Sequence, residues 1–347
     1  MRRAAKPPAA NPLHSSFASF APFASFAPFA PFVPFAPFVP FAPFVPFAPF
    51  VPFAPFASSM DGILNLNKPR GLTSHDVVAR VRAVARQREV GHAGTLDPMA
   101  TGVLLLCLGR ATRLAEYLMD SPKLYRARVR LGITTDTDDA EGSVIAERPV
   151  EADRAAVEAA LERFRGPILQ VPPMYSALKR DGQPLYRLAR RGQTVEREPR
   201  SVEIYRLDLM AWEPPELTLD VLCSPGTYIR ALARDLGEVL GCGAHLTGLV
   251  RLASGDFRLE DAVELEEVTP ERLPDLLLPP DAALRRYPAL YLSDAEARAV
   301  RQGRDIRVAQ DLSCATFARA YGPDGRLLAL MEYCPDRSLW HPRKVLV

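Results

Sequence analysis

The 347-residue sequence predicts an α+β fold, in which helices flank a mixed, mostly antiparallel sheet and a small β-rich domain follows at the C-terminus. Residues 123–131 alternate polar and apolar side chains, which is the pattern of a half-buried strand. Residues 76–86 carry four valines at helical spacing, which indicates an amphipathic helix. After Tyr287, a helix and two short strands surround a Gly-Pro-Asp-Gly turn, and such a turn-rich segment is typical of a compact β-rich unit.

The other elements follow in chain order from the same periodicities. A strand at 62–68 ends before Pro69, and Thr73 with Ser74 caps the helix over 76–86. An apolar run at 103–108 fits a buried strand and is too short to span a membrane. Further helices are predicted at 111–119, 151–165, 185–191, 229–240 and 293–302, and further strands at 201–209, 217–223, 315–321 and 327–333.

Residues 1–59 form a low-complexity segment that does not resemble the rest of the chain. Phenylalanine recurs every third residue from Phe17 to Phe56, and 14 of the 34 prolines lie here. This proline density excludes a helix, including a membrane-spanning one. Three interpretations of the segment are open: an upstream region included through a misassigned start codon, a disordered interaction tail, or a transit peptide. We favour the first alternative, because the well-patterned sequence begins at Met60.

Composition indicates a soluble, cytoplasmic protein of about two domains. The five cysteines include no C-x-x-C pair, which favours reduced thiols over a disulfide framework. Cys242 and His245 have a C-x-x-H spacing, but no second pair completes a metal site, so we expect none. The acidic loop at 134–142 suggests a cation site, but its D-x-D spacing lacks the ligands and the downstream Glu of a calcium loop.

Charge is distributed unevenly along the chain. Residues 68–130 hold 12 Lys or Arg against 5 Asp or Glu, which suits either an RNA-phosphate surface or a solvated helix face. Residues 256–281 hold 2 against 9, and we expect this acidic, leucine-rich stretch to link or pack two units.

One carboxylate stands out in the stretch 90–108. Asp97 directly precedes Pro98, which restricts its backbone, and a buried strand follows. Such an acid is well placed for chemistry, although Asp before Pro is also a common turn. The spacing alone leaves both interpretations open.

A set of short motifs follows in fixed order after Met60. They are Lys68-Pro69, Gly71-Leu72-Thr73-Ser74, Gly91-His92-Ala93-Gly94-Thr95-Leu96-Asp97-Pro98, Ala100-Thr101-Gly102, Tyr125, Thr135-Asp136-Thr137, Met174-Tyr175-Ser176-Ala177-Leu178-Lys179, Glu196-Arg197-Glu198-Pro199-Arg200, Gly226-Thr227-Tyr228-Ile229-Arg230 and Gly241-Cys242-Gly243-Ala244-His245. In this order they resemble the bacterial TruB-type tRNA pseudouridine synthases. The resemblance covers Met60 to the C-terminus.

The resemblance implies an isomerase with the pseudouridine synthase fold. It implies a catalytic domain over 60–284 and a PUA-like RNA-binding domain over 285–347. The substrate would be uridine 55 in the T loop of tRNA, flipped out and converted to pseudouridine by cleavage and C–C rejoining of its glycosidic bond. The resemblance implies no metal, no organic cofactor, no membrane and no obligatory protein partner, and a monomer is expected.

The resemblance also assigns site residues. Asp97 is the catalytic carboxylate, Arg230 is the cation that keeps it ionised, and Tyr125 is the third catalytic position. Substrate-binding positions are Tyr125 and Tyr228, which flank the flipped base, His92, which fills the space the base leaves, Leu249 against the uracil, and Lys68 and Arg251 as phosphate contacts.

Three alternatives remain open at this point. The chain could act within a guide-RNA particle that needs protein subunits, as archaeal and eukaryotic relatives do. It could be a non-enzymatic RNA-binding or RNA-folding protein that uses the basic 68–130 segment and the PUA-like tail. It could also be a glycosidase that uses Asp97, although that chemistry normally requires a second carboxylate.

Overall fold

A ten-stranded mixed sheet forms the larger part of the fold in this computed structural model, which describes residues 60–346 except 176–178, 181–182, 185–194, 309, 311 and 313. The described residues form 18 strands in all, and ten of them build this sheet. The 18 strands are β1 (Gly62–Lys68), β2 (Val90–His92), β3 (Thr101–Leu108), β4 (Lys123–Leu131), β5 (Ile133–Thr135), β6 (Val144–Glu147), β7 (Gly166–Gln170), β8 (Lys179–Arg180), β9 (Gln183–Pro184), β10 (Arg200–Glu213), β11 (Glu216–Cys223), β12 (Ala244–Ser254), β13 (Phe257–Arg258), β14 (Val263–Glu264), β15 (Ala289–Tyr291), β16 (Phe317–Tyr321), β17 (Leu327–Cys334) and β18 (Leu339–Val345).

Six α-helices lie in the described residues. They are α1 (Ser74–Ala85), α2 (Ala115–Met119), α3 (Arg154–Glu162), α4 (Ile229–Val239), α5 (Leu273–Leu276) and α6 (Asp294–Arg301). Thr73 caps α1 as expected, because its hydroxyl accepts from Asp76 N at 3.1 Å while the Asp76 carboxylate accepts from Thr73 N. No helix in the described ranges is long and apolar enough to cross a membrane.

The main sheet has the order β14-β1-β3-β12-β4-β11-β10-β7, with β2 beside β3 and β13 beside β12. Only the pairs β1–β14 and β3–β12 are parallel, so the expected mixed, mostly antiparallel sheet is confirmed. Strand β12 joins the two halves, because it pairs with β3 on one side and β4 on the other. The acidic stretch 256–281 contributes β13 and β14 to this sheet, so it packs against the main unit.

Successive residues along a strand face opposite sides of the sheet, and each side packs into its own apolar cluster. Leu104 and Leu106 of β3 face the helices α1, α3 and α4, while Val103 and Leu105 face the opposite side. On that second side, Leu330 and Leu346 of the C-terminal unit pack into the same cluster. The C-terminal unit is therefore joined to the sheet by a shared hydrophobic layer.

The C-terminal unit is β-rich, as expected. Its four strands have the order β15-β16-β17-β18, and α6 packs against them. Two of these strands, β15 and β18, were not predicted from the sequence. Arg110 and Arg113 donate to the carbonyl oxygens of Leu346 and Val345, which fastens the end of the chain to the segment after β3.

Several helices and strands of the structure differ from those predicted from the sequence. The helix predicted at 111–119 is a 3-10 helix over Gly109–Leu114 followed by α2, and the Thr112 hydroxyl bonds Gly109 O within that tighter turn. Strands β2, β7 and β12 were missed. In β12, two bulges interrupt the alternation that marks a strand. The helix predicted at 185–191 and the segment 1–59 lie outside the described residues.

Candidate active site

Asp97 lies in the loop that joins β2 to β3, and this loop is fixed on both sides of it. Before Asp97, the buried Ser74 hydroxyl accepts from Leu96 N at 2.8 Å and donates to Leu96 O at 3.1 Å. After Asp97, Gly71 N donates to Pro98 O at 2.8 Å. The start of α1 and the loop before it therefore hold the carboxylate in place.

Arg230, the second residue of α4, contacts Asp97 side-on. Its Nε lies 3.0 Å from Asp97 Oδ2, and its Nη2 donates to Asp97 Oδ1 at 3.2 Å. The Arg230 side chain is 5% exposed, whereas that of Asp97 is 35% exposed. One edge of the carboxylate is thus paired within the protein, while part of it stays accessible from solvent.

The remaining donors of Arg230 are also bound. Nη1 donates to Thr137 O at 3.1 Å and lies 3.5 Å from Asp139 Oδ2, and Nη2 also donates to Tyr175 O at 2.7 Å. The Asp139 side chain is only 6% exposed, so Arg230 also compensates a buried carboxylate besides the partly exposed Asp97. The contact between Arg230 and Asp139 was not predicted from the sequence.

A second arginine of α4 supports the same acidic loop. Arg234 follows Arg230 by four residues and therefore shares its helix face. Its Nη1 lies 3.1 Å from Asp138 Oδ2, and its Nη2 donates to Val171 O at 3.0 Å. The available sequence signal was two arginines at helical spacing together with two adjacent aspartates, since buried carboxylates need cations.

The electrostatic environment of Asp97 has opposing components. Burial raises its pKa above the ordinary value for a carboxyl, and the positive charge of Arg230 acts against this shift. The negative charge of Asp139 raises the pKa of Asp97 further, while Lys68 lowers it. Arg230 is therefore the group that favours the ionised form most strongly.

Tyr125 and Leu249 lie on adjacent strands of the main sheet. Tyr125 belongs to β4 and Leu249 to β12, and both are buried. Burial raises the pKa of the Tyr125 hydroxyl, the nearby Arg251 lowers it, and the Asp97 charge raises it by a smaller amount. The structure therefore places Tyr125 within electrostatic range of the carboxylate.

Tyr228 and His92 occupy the ends of two elements. Tyr228 directly precedes α4, and the Gln170 side chain bonds both its backbone N (2.8 Å) and its backbone O (3.1 Å). Gln170 was not identified from the sequence. His92 ends β2, and its buried Nδ1 has no hydrogen-bond partner among the described residues. Burial lowers the pKa of His92, and Arg251 lowers it further.

Lys68 is fully buried at the end of β1. Its Nζ donates to the carbonyl oxygens of Leu72 (2.6 Å), Pro69 (2.9 Å) and Pro98 (3.3 Å). Burial lowers its pKa to about 8, and the Asp97 charge opposes this shift. The structure contradicts the expected phosphate contact, because three carbonyls occupy the three ammonium donors. Lys68 instead ties the loop after β1 to the loop of Asp97.

Arg251 is likewise enclosed, with 1% of the residue exposed. Its guanidinium donates to the carbonyl oxygens of Val103, Thr95 and Gly94. The structure therefore contradicts a phosphate contact here as well, since no part of the guanidinium is presented to solvent. Both buried cations bind main-chain oxygens around the Asp97 loop.

Within the described part of the chain, no three His, Cys, Asp or Glu side chains are grouped so that they could hold a metal ion. His245 instead places Nδ1 2.9 Å from Ile133 O, and the Cys242 thiol is buried in the core.

Family models match more than half of the chain. The model for the N-terminal domain of TruB family pseudouridylate synthases matches residues 82–229, and the model for the tRNA pseudouridylate synthase B C-terminal domain matches residues 230–285. The chain belongs to the TruB family. The Asp97–Arg230 pair thus joins the two matched ranges.

Relatives in the TruB family match this chain over nearly their whole length. The tRNA pseudouridine synthase B of Pseudomonas aeruginosa (strain UCBPP-PA14) is 48% identical over 295 residues, which cover 83% of this chain and 96% of that protein. The protein of the same name from Cupriavidus metallidurans is 50% identical over 281 residues, or 78% of this chain and 89% of that protein.

A solved structure supports the same fold for this TruB-family chain. A chain of a Cbf5-Nop10-Gar1 complex superposes with a TM-score of 0.63 at 25% identity, covering 82% of this chain and 85% of that one. The predicted pseudouridine synthase fold is confirmed.

Proposed function

We propose that this protein is a tRNA pseudouridine synthase that isomerises uridine 55 in the T loop of tRNA. The observation that supports this most directly is a partly exposed carboxylate, Asp97, held side-on by the buried Arg230. The names of the relatives at 48% and 50% identity supply the substrate class. We further propose that the enzyme acts in the cytoplasm, as a monomer and without an obligatory protein partner.

The reaction exchanges one glycosidic bond for another. The N1–C1′ bond of uridine breaks, the uracil turns within the site, and C5 bonds to C1′. The proton on C5 is lost and N1 regains one, so atoms balance without an oxidant or a cofactor. Asp97 can serve this sequence by attack on the sugar, by attack on the ring or by removal of a proton beside C1′.

Base flipping requires surfaces that replace the stacking lost from the RNA. We propose that the rings of Tyr125 and Tyr228 flank the flipped uracil and that Leu249 contacts its edge. His92 would fill the space left by the base. Of these residues, Tyr125 lies on β4, Leu249 on β12 and His92 on β2, and Tyr228 directly precedes α4.

We propose that the domain boundary lies at residue 284, with the catalytic domain over 60–284 and a PUA-like RNA-binding domain over 285–347. The separate four-stranded sheet and the apolar cluster around Leu290 and Trp340 support this division. The shared layer with Leu330 and Leu346 would hold the two domains in a fixed relation on the tRNA.

The structure offers little support for a glycosidase. Such enzymes place two carboxylates on either side of the scissile bond. Asp139, the second carboxylate that Arg230 contacts, has only 6% of its side chain exposed and lies against the guanidinium. It is therefore not available to act on a sugar opposite Asp97.

The test uses residues 60–347 and the full chain, each with a tRNA transcript and with a matched transcript carrying cytidine at position 55. Pseudouridine is detected by carbodiimide modification and reverse-transcription stops, because the isomer has the mass of uridine. We expect modification at position 55 with no other macromolecule added, and none in the control. Activity that appears only with a guide RNA and accessory proteins would contradict the proposal and favour the particle-bound alternative.

A further inference from the structure

We propose that Arg251 is a positioning residue that fixes the Asp97 loop to the strands that carry Tyr125. The inference rests on the proposed function for its kinetic test, but its structural content stands on separate contacts. Arg251 does not contact Asp97. It acts through main-chain atoms on either side of the site.

The guanidinium of Arg251 forms a three-point clamp. Nε donates to Val103 O at 2.6 Å, Nη2 to Gly94 O at 3.1 Å and Nη1 to Thr95 O at 3.4 Å. Gly94 and Thr95 lie three and two residues, respectively, before the catalytic carboxylate, and Val103 lies in β3 after it. The side chain therefore spans the loop that presents Asp97 and holds both of its ends.

The backbone of Arg251 is fixed against the same loop. Strands β12 and β3 pair in parallel at Arg251↔Gly102 and Val250↔Thr101. Gly102 has a φ of +98°, and a Cβ atom there would lie 2.3 Å from Arg251 O and 2.7 Å from Arg251 N. The close approach of strands β3 and β12 therefore requires glycine at this position.

Arg251 is also the cross-strand partner of Tyr125 on β4. Its positive charge lowers the pKa of the Tyr125 hydroxyl against the larger effect of burial. The same side chain thus borders the aromatic position on one side and the Asp97 loop on the other. Displacing the Arg251 side chain would therefore change the position of Tyr125 relative to the Asp97 loop.

The clamp needs the guanidinium and not merely a positive charge. None of the described Asp or Glu side chains forms an ion pair with Arg251, so its guanidinium is held by three carbonyl oxygens and by its contact with the Tyr125 hydroxyl. The planar fork of arginine matches that arrangement, while a lysine ammonium is a compact charge on a flexible stem. An exposed phosphate contact would tolerate that replacement far better.

The test compares Arg251→Lys with wild type and with Arg154→Lys, a control in which an exposed arginine on α3 keeps its charge beside Glu158. We expect Arg251→Lys to lower kcat about 100-fold, the scale of a 1 Å misplacement. KM for tRNA should stay within about threefold, and the salt dependence of binding should be unchanged. Arg154→Lys should match wild type in all three measurements.

A readout independent of activity is hydrogen–deuterium exchange. In Arg251→Lys, amides of residues 93–100 should exchange faster than in wild type, while those of α3 should not change. If the wild type forms no pseudouridine, the proposed function fails, but this exchange measurement still tests the clamp. If the wild type is active and Arg251→Lys matches it in kcat and exchange, only the clamp fails.

Two other results would overturn the proposal. A raised KM at unchanged kcat, with a salt slope smaller by about one, would identify Arg251 as a phosphate contact after all. Loss of the wild-type circular dichroism spectrum in both Arg251→Lys and Arg251→Gln would show a general structural role instead of a local one.

Discussion

Arg230 binds Asp97 through the side of its guanidinium, with Nε at 3.0 Å and Nη2 at 3.2 Å from the two carboxylate oxygens. Its far edge binds Asp139 and the carbonyl oxygens of Thr137 and Tyr175. The guanidinium is therefore held in place by these contacts as well as by its pairing with Asp97. Such a preorganised cation stabilises a charged group without rearrangement during reaction.

Replacing Arg230 with methionine should move the acidic limb of the pH–kcat profile to higher pH. Burial raises the pKa of Asp97 and Arg230 opposes this, so losing the arginine raises the pKa further, and more base is needed to ionise the acid. The variant also leaves the buried Asp139 without its cation, which costs about 3 kcal/mol of the free energy of unfolding. Single-turnover rates from pH 5 to 9 and urea unfolding measure both effects. An unmoved acidic limb would contradict the assigned role.

Replacing Asp139 with asparagine should move the same limb in the opposite direction. The Asp139 charge raises the pKa of Asp97, so its removal lowers that pKa and the limb shifts to lower pH. We expect kcat at the plateau to fall about tenfold, or about 1.4 kcal/mol, because Arg230 loses one of its anchors. Asp220→Asn is the matched control, since Asp220 pairs with Arg126 on β4 and should leave the pH profile unchanged.

The close contact at Gly102 predicts a large loss of stability on substitution. In Gly102→Ala the new Cβ meets the Arg251 backbone at 2.3 Å in addition to the strain of a positive φ. We expect a loss of at least about 3 kcal/mol in the free energy of unfolding. Gly166→Ala has a similar φ of +80° and nothing within 4 Å, so it should lose only about 1 kcal/mol. Equal losses in urea titrations of the two variants would contradict the contact.

Thiol reactivity should separate the cysteines by burial. Burial raises the pKa of Cys107 to about 12 and that of Cys223 to about 11, and Cys242 is also buried. We expect a thiol reagent at pH 8 to label exposed Cys314 quickly and Cys334 more slowly, with the other three protected until urea unfolds the protein. Rapid labelling of three or more thiols in the folded protein would contradict this packing.

The spacing of apolar residues predicted most of the helices and strands in which that spacing is regular. The alternation in β4 and the valines of α1 were sufficient, because each element has one buried and one exposed face. Strand β12 was missed although it joins the two halves of the sheet. Its bulges and Gly248 break the period of two, and its pairing partners lie far away in sequence.

The residues of the candidate site, like the strands, could be predicted only in part from the sequence. Motif resemblance assigned catalytic roles to Asp97, Arg230 and Tyr125, and these roles stay predictions; the structure brings the three residues into one region. It could not identify Asp139 as a partner of Arg230, since that contact depends on how the acidic loop folds over α4. It also gave Lys68 and Arg251 an RNA-facing role, because sequence does not show which cations are enclosed by carbonyl oxygens.

The role of Asp97 is best tested by single-turnover release of tritium from tRNA labelled at C5 of uridine, with wild type and Asp97→Asn compared at equal tRNA occupancy. We expect stoichiometric release by the wild type at position 55. For Asp97→Asn we expect a rate at least about 10⁴-fold lower, a barrier increase of about 5 kcal/mol, with tRNA affinity within about threefold. An Asp97→Asn rate within tenfold of wild type would show that Asp97 is not the catalytic carboxylate.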